Sequence, residues 1–345
     1  MTAMRKPLIV VSSRIAEQAA GAQRPRLDYL EIAKALDGSL LGYNLSDRGW
    51  YARVRQLERR LKLDIVEATT ALRRSSDHNA VVTLSEKSAI PLVALARLTG
   101  NNTPQIVVAH KLSSGLKTHL FRLFGLQHAF AHIICVCRAQ VDFAVQQLGV
   151  PSSNVHFVHD KVDHRFFSPV DNAAGDYILS VGQEQRDYET LRQGVAGTGL
   201  KLVVVASSPW STSRVQVSDA GNIEVLSGIP FTRLRDLYAG ARLVVVPLYN
   251  VDYAAGVNSL LEAMAMAKPV IVSRTRGISD YVVDGETAQY TPPGDVTALR
   301  DGILSLWHDA AALQRLGDNA RRAVEEQMNL DIYVSRIAEI VRAVT

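Results

Sequence analysis

Short apolar runs alternate along this chain with longer stretches in which apolar residues recur every three or four positions. The runs read as buried strands and the periodic stretches as amphipathic helices, and their alternation predicts parallel α/β sheets. In the first half, strands are expected at 8–12, 40–43, 80–83, 105–109, 132–137 and 155–158. Helices are expected near 28–36, 51–72, 89–98, 115–124 and 139–148. The helix over 51–72 is read from Val54, Leu57, Leu61 and Ile65, with Arg53, Arg55, Arg59, Arg60 and Lys62 between them. A polar stretch over 165–176, with Pro169, Asn172 and Gly175, reads as the interdomain linker. A second series follows, with strands at 177–181, 201–206, 223–226, 243–246 and 270–273 and helices at 188–194, 231–239 and 258–267. From Val296 the chain reads as helical to its end, with a break near Asn329. This organisation predicts two doubly wound α/β domains, 1–168 and 176–328, followed by a C-terminal helical segment, 329–345. Open α/β sheets bind ligands at the carboxyl ends of their strands, so two such sheets facing one another are expected to enclose a central cleft.

One stretch carries more chemistry than the rest. The strand over 243–246 ends at Pro247, which cannot donate to a ladder, so the chain leaves the sheet there. Gly256 permits a positive φ or close backbone approach. Asn258 or Ser259 is suited to cap the helix that follows, and Pro269 stops it. The free amides of the first turn, Val257 to Ser259, favour an anion. Glu262 lies about one turn further in, too close to a phosphate pocket to touch phosphate itself. Its carboxylate can accept from two vicinal hydroxyls, as a ribose offers; the alternative is a charge placed against the helix dipole.

Length and composition narrow the classes. A chain of 345 residues accommodates two ordinary domains. The net charge of +4 is mild and the basic residues do not form one run, so nucleic acid is not an expected partner. Cys135 and Cys137 alternate with apolar residues and read as two buried thiols. The apolar run 7–11 is too short for a signal peptide, and no segment is long enough to cross a bilayer, so a cytoplasmic address is expected. His128 and His132 lack accompanying ligands, and no metal site is expected. No lysine-serine or lysine-threonine phosphate loop is present. From Lys111 to Leu126, the residues Leu116, Leu120, Leu123 and Phe124 share one helical face, with Lys117, His119 and Arg122 elsewhere. That helix either packs on its own sheet or makes a peripheral contact with an anionic membrane.

The pattern Gly256…Leu260-Leu261-Glu262-Ala263-Met264-Ala265…Lys268-Pro269-Val270-Ile271…Gly277-Ile278-Ser279-Asp280-Tyr281-Val282…Asp284-Gly285…Pro293-Gly294-Asp295 resembles the C-terminal domain of the GT-B retaining glycosyltransferases, the family-four group known as glycosyl transferases group 1. The similarity extends to Ile178-Leu179-Ser180-Val181-Gly182, to Val158-His159-Asp160-Lys161-Val162-Asp163 and to Val107-Val108-Ala109-His110. It implies a GT-B fold of two Rossmann-like domains. It implies a UDP- or GDP-sugar donor as co-substrate, no permanently bound cofactor, no metal, and transfer to an acceptor hydroxyl with retained anomeric configuration. The acceptor, whether saccharide, lipid-linked or small molecule, is left open. The polar loop 16–26, with Gln18, Gln23, Arg24 and Arg26, is expected to touch it.

By the same resemblance, Gly182, Ser207, Ile229, Gly256, Val257, Asn258, Ser259 and Glu262 hold the donor, and His110 lies near the donor sugar and the reacting bond; a loop-capping histidine is the alternative for His110. Two departures stand out. The family has an arginine directly after the strand glycine and a lysine soon after, where this chain has Gln183 and Tyr188. Arg186 is the nearest cation and is expected to meet the diphosphate, unless it pairs with Asp187 or Glu189. Arg274 and Arg276 are further candidates, and Lys268 reads as structural. The first of the family's two motif glutamates is replaced by Ala254, so a non-catalytic nucleotide-sugar-binding relative or partner subunit is the alternative function. A GT-B epimerase or phosphorylase is the third reading.

Overall fold

The computed structural model of the chain describes residues 5–15, 23–43, 54, 56, 58, 60–170, 175–206 and 221–345. The first sheet contains β1 (Leu8–Val10), β2 (Ser39–Leu41), β3 (Val81–Thr83), β4 (Gln105–Ala109), β5 (His132–Cys135) and β6 (Val155–Phe157) in the order β2-β1-β3-β4-β5-β6. Every pairing is parallel. The second contains β7 (Tyr177–Val181), β8 (Lys201–Val205), β9 (Ile223–Leu226), β10 (Leu243–Val246), β11 (Val270–Ser273) and β12 (Gln289–Thr291), ordered β12-β11-β10-β7-β8-β9 and again parallel throughout. Most central strands are apolar at every position and fully buried, because helices cover both faces of such sheets. Short β12 was missed in the sequence: Gln289-Tyr290-Thr291 has neither an apolar run nor clean alternation.

The chain divides into two units. Unit 1 holds the first sheet and extends to Val158, and the terminal residues Tyr333–Thr345 belong with it. Unit 2 spans His159–Ile332 and also includes the segment carrying Arg26. The expected linker over 165–176 therefore begins inside unit 2, because Val162, Phe166 and Phe167 are buried in its core.

Several local expectations are corrected. The helix read over 51–72 is not continuous. Arg60 and Leu61 are helical, Lys62 turns to a φ of 55°, and a fresh helix, α2 (Ile65–Ser75), starts after Asp64. The first helix is α1 (Asp28–Leu36). The apolar spacing runs through the break, so periodicity alone could not reveal it. The helical tail also breaks at Asp309, whose side chain caps the next helix by accepting from Ala312 N–H at 2.9 Å. Of the loop 16–26 expected to touch an acceptor, residues 16–22 lie outside the described residues, and Arg26 pairs with Asp163 at 2.8 Å and with Asp331 at 2.7 Å. Cys135 and Cys137 are buried thiols, as expected.

Candidate functional site

Unit 2 has the strand order in which the first strand, β7, lies beside the fourth, β10. The sheet reverses direction of winding between them, and ligands of such sheets bind outside the carboxyl ends at that point. The loops leaving β7 and β10 are tied together there. Asp187 N–H donates to the Pro247 carbonyl at 3.1 Å, and Tyr249 N–H donates to the Gln185 carbonyl at 3.1 Å. Leu248 N–H donates to Ser273 Oγ at 2.9 Å, which fixes the second loop to the end of β11.

Arg186 lies within this frame and is 9% exposed. Its Nε donates to the Val181 carbonyl at 3.0 Å, Nη1 to the Glu184 carbonyl at 2.8 Å and Nη2 to Ser259 Oγ at 2.7 Å. Neither expected acidic neighbour pairs with it. Asp187 instead accepts from Thr190 N–H at 3.1 Å, and Glu189 pairs with Arg192. The guanidinium is packed beneath two glycines: a Cβ on Gly182 would fall on it, and a Cβ on Gly256 would lie 3.1 Å from Nη1. Both glycines have positive φ, 107° and 83°, so glycine is required twice over, by conformation and by space. Burial pushes the arginine pKa down, opposed by Tyr188, Tyr238, Glu184 and Glu262. Tyr188, at the position where the family carries a lysine, donates its hydroxyl to the Gly182 carbonyl.

The helix after β10 runs Val257–Ala265 and is capped by Gly256, not by Asn258 or Ser259. Ser259 is turned inward: its hydroxyl donates to the Gly256 carbonyl at 3.0 Å and accepts from Arg186. Asn258 is exposed. The backbone amides of Asn258 and Ser259 meet no acceptor among the described residues, so two helix N-terminal donors stay open over a buried cation. Pro269 follows the helix, and Lys268 donates to the Ala239 carbonyl at 2.6 Å, a structural role.

Glu262 occupies the next turn. Tyr238, fully buried, donates its hydroxyl to Glu262 Oε2 at 2.9 Å. The other carboxylate oxygen has no hydrogen-bond partner among the described residues. Burial pushes the Glu262 carboxyl up to about 7, against the downward pull of the Tyr238 hydroxyl and the Arg186 charge. The sequence held no local sign of Tyr238, which lies 24 residues away on another helix.

Ile229 is partly buried against the unit 2 core and follows Gly228, whose φ is 65°. Ser207 lies outside the described residues. Arg274 is turned away, paired with Asp284 and stacked over the Tyr290 ring. Ala254 packs against the core, and the chain around it is pressed by Gly277, where a Cβ would collide with the Tyr253 carbonyl.

His110 belongs to unit 1, directly after β4. Its amide donates to Glu86 Oε2 at 3.3 Å and the Lys111 amide to Glu86 Oε1 at 3.2 Å. The Leu112 and Ser113 amides both donate to Gln140 Oε1, at 2.6 and 3.2 Å. Lys117 Nζ reaches Glu86 Oε1 at 2.6 Å, and both residues are buried. Burial alone would raise the Glu86 pKa; Lys117 and His110 overcome it and hold the carboxyl below its ordinary range.

Lys117 and Phe121 are therefore the inward residues of the helix Gly115–Phe124, whereas Leu123 and Phe124 are 64% and 42% exposed. Leu120 packs against the unit 1 core, so the face read from the sequence is corrected only at Leu123 and Phe124. The buried ion pair with Glu86 turns Lys117 inward and carries Leu123 outward. Among the described residues no helix is long and apolar enough to cross a membrane, and no group of three or more metal-ligating side chains occurs.

The family described as Glycosyl transferases group 1 matches residues 186–309. The MMP alpha-(1->4)-mannosyltransferase of Mycolicibacterium hassiacum is 24% identical, over 70% of this chain and 62% of its own length. The capsular polysaccharide biosynthesis glycosyltransferase CapM of Staphylococcus aureus is 30% identical, over 61% of this chain and 58% of its own length. The chain thus spans about three fifths of the length of these curated relatives. Among solved structures, sucrose-phosphate synthase from Thermosynechococcus elongatus superposes with a TM-score of 0.74 at 18% identity, covering 98% of this chain and 99% of that one. Anabaena HepE in complex with UDP-glucose gives 0.74 at 14% identity, covering 98% and 100%. At these identities the structural likeness establishes the GT-B fold.

Proposed function

We propose that this chain is a member of the glycosyl transferases group 1 family, whose model matches residues 186–309, and that it transfers a sugar from a UDP- or GDP-sugar to an acceptor hydroxyl. Transfer proceeds with retained anomeric configuration and without a metal. One observation carries the reading: two open amides at a helix N-terminus lie over a buried, carboxylate-free arginine, one turn from a carboxylate with a free oxygen. Departure of a nucleoside diphosphate builds negative charge, and donors fixed in advance stabilise that charge without reorganising. The amides of Asn258 and Ser259 meet the diphosphate, Arg186 supports them from below, and Glu262 takes the ribose hydroxyls. Gly182, Gly256 and Val257 provide close backbone approach, and Ser207 and Ile229 border the base. The acceptor hydroxyl attacks from the face the diphosphate leaves, and the leaving oxygen takes its proton. His110, on the resemblance alone, assists transfer. That HepE forms complexes with UDP and with UDP-glucose supports a nucleotide-sugar donor.

The protein acts in the cytoplasm, and peripheral membrane contact would use the helix surface bearing His119, Arg122, Leu123 and Phe124. Calorimetric titration with UDP and GDP tests the site, and anomeric proton NMR of the product tests retention. Glu262→Ala is expected to weaken nucleotide binding about tenfold or more, the cost of losing hydrogen bonds to a charged group; unchanged affinity sinks the assignment. Arg186→Ala is expected to depress turnover more than acceptor binding. Nucleotide-sugar binding with neither transfer nor donor hydrolysis, across many acceptors, would favour the non-catalytic alternative that Ala254 motivates.

A further inference from the structure

The loop leaving β7 carries a second carboxylate that the mechanism above does not use. Glu184 is exposed and lies two residues from Arg186, which binds its main-chain carbonyl at 2.8 Å. Its side chain turns toward the other loop of the switch point. Tyr253, 6% exposed, donates its hydroxyl to Glu184 Oε1 at 2.9 Å. Burial pushes the Tyr253 pKa up, and the Glu184 carboxylate pushes it further, so the tyrosine stays a donor at any physiological pH. The second carboxylate oxygen has no hydrogen bond, and Glu184 makes no salt bridge, among the described residues.

An exposed glutamate with no ion pair ordinarily wanders among rotamers. This one is held at both ends. Its backbone is fixed by Arg186 and by the cross-loop bond from Tyr249 to the adjacent Gln185, at 3.1 Å. Its carboxylate is fixed by a tyrosine whose own backbone is pressed by Gly277. Tyr253 precedes Ala254, Ala255 and Gly256, so the same short loop leads from the Glu184 carboxylate to the open amides of Asn258 and Ser259. A carboxylate beside an anion site repels phosphate and accepts from neutral hydroxyls. Glu262 already lies on the helix side for the ribose. Glu184 stands on the β7 side of the switch point, and the sugar hydroxyls are the neutral donors of a nucleotide-diphospho-sugar that Glu262 leaves unmatched.

We infer that Glu184, positioned by Tyr253, accepts hydrogen bonds from hydroxyls of the donor sugar and sets which sugar this protein takes. The inference rests on the nucleotide-sugar reading above. No proton or bond changes hands: Glu184 binds the sugar and Tyr253 is a positioning residue.

The test measures the affinity gained when the sugar is added to the nucleotide. Full-length wild type, Glu184→Ala, Glu184→Gln and Tyr253→Phe are titrated with UDP, UDP-glucose, GDP and GDP-mannose, with thermal melting as a check on folding. Glu184→Ala is expected to keep the wild-type affinity for the free diphosphate and to lose about tenfold for the matching nucleotide-sugar, the cost of leaving polar sugar groups unpaired. Tyr253→Phe is expected to show a smaller loss of the same kind, and Glu184→Gln a changed ranking of sugars. A folded Glu184→Ala that keeps the full sugar-dependent gain overturns the inference and leaves the nucleotide site standing. A wild type that binds neither diphosphate overturns the nucleotide reading and this inference with it.

Discussion

The carboxyl ends of the two sheets solve one problem in opposite ways. In unit 1, the amides of His110 through Ser113 are all accepted by two buried side chains, Glu86 and Gln140, and the buried cation Lys117 is neutralised by Glu86. In unit 2, the buried cation Arg186 bonds only carbonyls and a hydroxyl, and the amides of Asn258 and Ser259 stay open. The first loop keeps no amide open for an anion; the second leaves two open among the described residues. A strand end with a buried positive charge is therefore not in itself an anion site. What decides is whether the protein supplies the counter-charge and the acceptors itself.

Four measurements test that contrast, from the largest expected effect downward. Glu86→Ala strands the Lys117 ammonium and leaves two amides without acceptors. It should cost about 3–5 kcal/mol of unfolding free energy, the range for breaking a buried ion pair, read by denaturant titration. The nucleotide affinity of unit 2 should survive wherever the variant is folded. If Glu86→Ala melts like wild type, the closed character of the unit 1 loop is wrong. Arg186→Ala should lower kcat by about a hundredfold or more, as removal of a fixed donor at developing charge does. Its stability should fall less than that of Glu86→Ala, since it leaves carbonyls and no lone charge.

Third is a pH effect. The Glu262 carboxyl rises from an ordinary 4.5 to about 7 on folding, so between those values the folded state binds more protons than the unfolded one. Stability should therefore fall as pH rises from 4.5 to 7, by an amount Glu262→Gln removes. Nucleotide affinity should move the other way, gaining up to about tenfold per pH unit as the carboxylate ionises, and level off above 7. A flat affinity profile from pH 5.5 to 8 would separate Glu262 from the ligand. The smallest effect is expected of Tyr238→Phe, which removes one hydrogen bond from Glu262, worth about 1 kcal/mol. Calorimetry should find about a fivefold weaker nucleotide and an unchanged response to the acceptor.

These sites were unequally legible in the sequence. The strand Leu243–Val246, the break at Pro247, Gly256 and the helix ending before Pro269 are local signals, and the parallel sheets follow from apolar runs too short for helices. The partners were not local. Tyr238 meets Glu262, Tyr253 meets Glu184 across 69 positions, and Glu86 meets Lys117 across 31. Nothing in the spacing of an isolated tyrosine or glutamate announces such a pairing. The inward turn of Ser259 was equally hidden. A serine at a helix start reads as a cap, and only the arginine beneath makes it a buried acceptor. The positive φ of Lys62 was hidden for another reason: its neighbours preserve a helical rhythm that the backbone does not follow.

Gly277 gives the molecule an unexpected handle. The Tyr253 carbonyl occupies the space a side chain at position 277 would need, so the bend after β11 acts as a mould for the loop after β10. A single methyl group added at 277 would push that loop away without altering any group proposed to touch donor or acceptor. Gly277→Ala is thus a design for a chain that keeps its chemical inventory and loses its shape, and it would separate what the site contains from how tightly it is held.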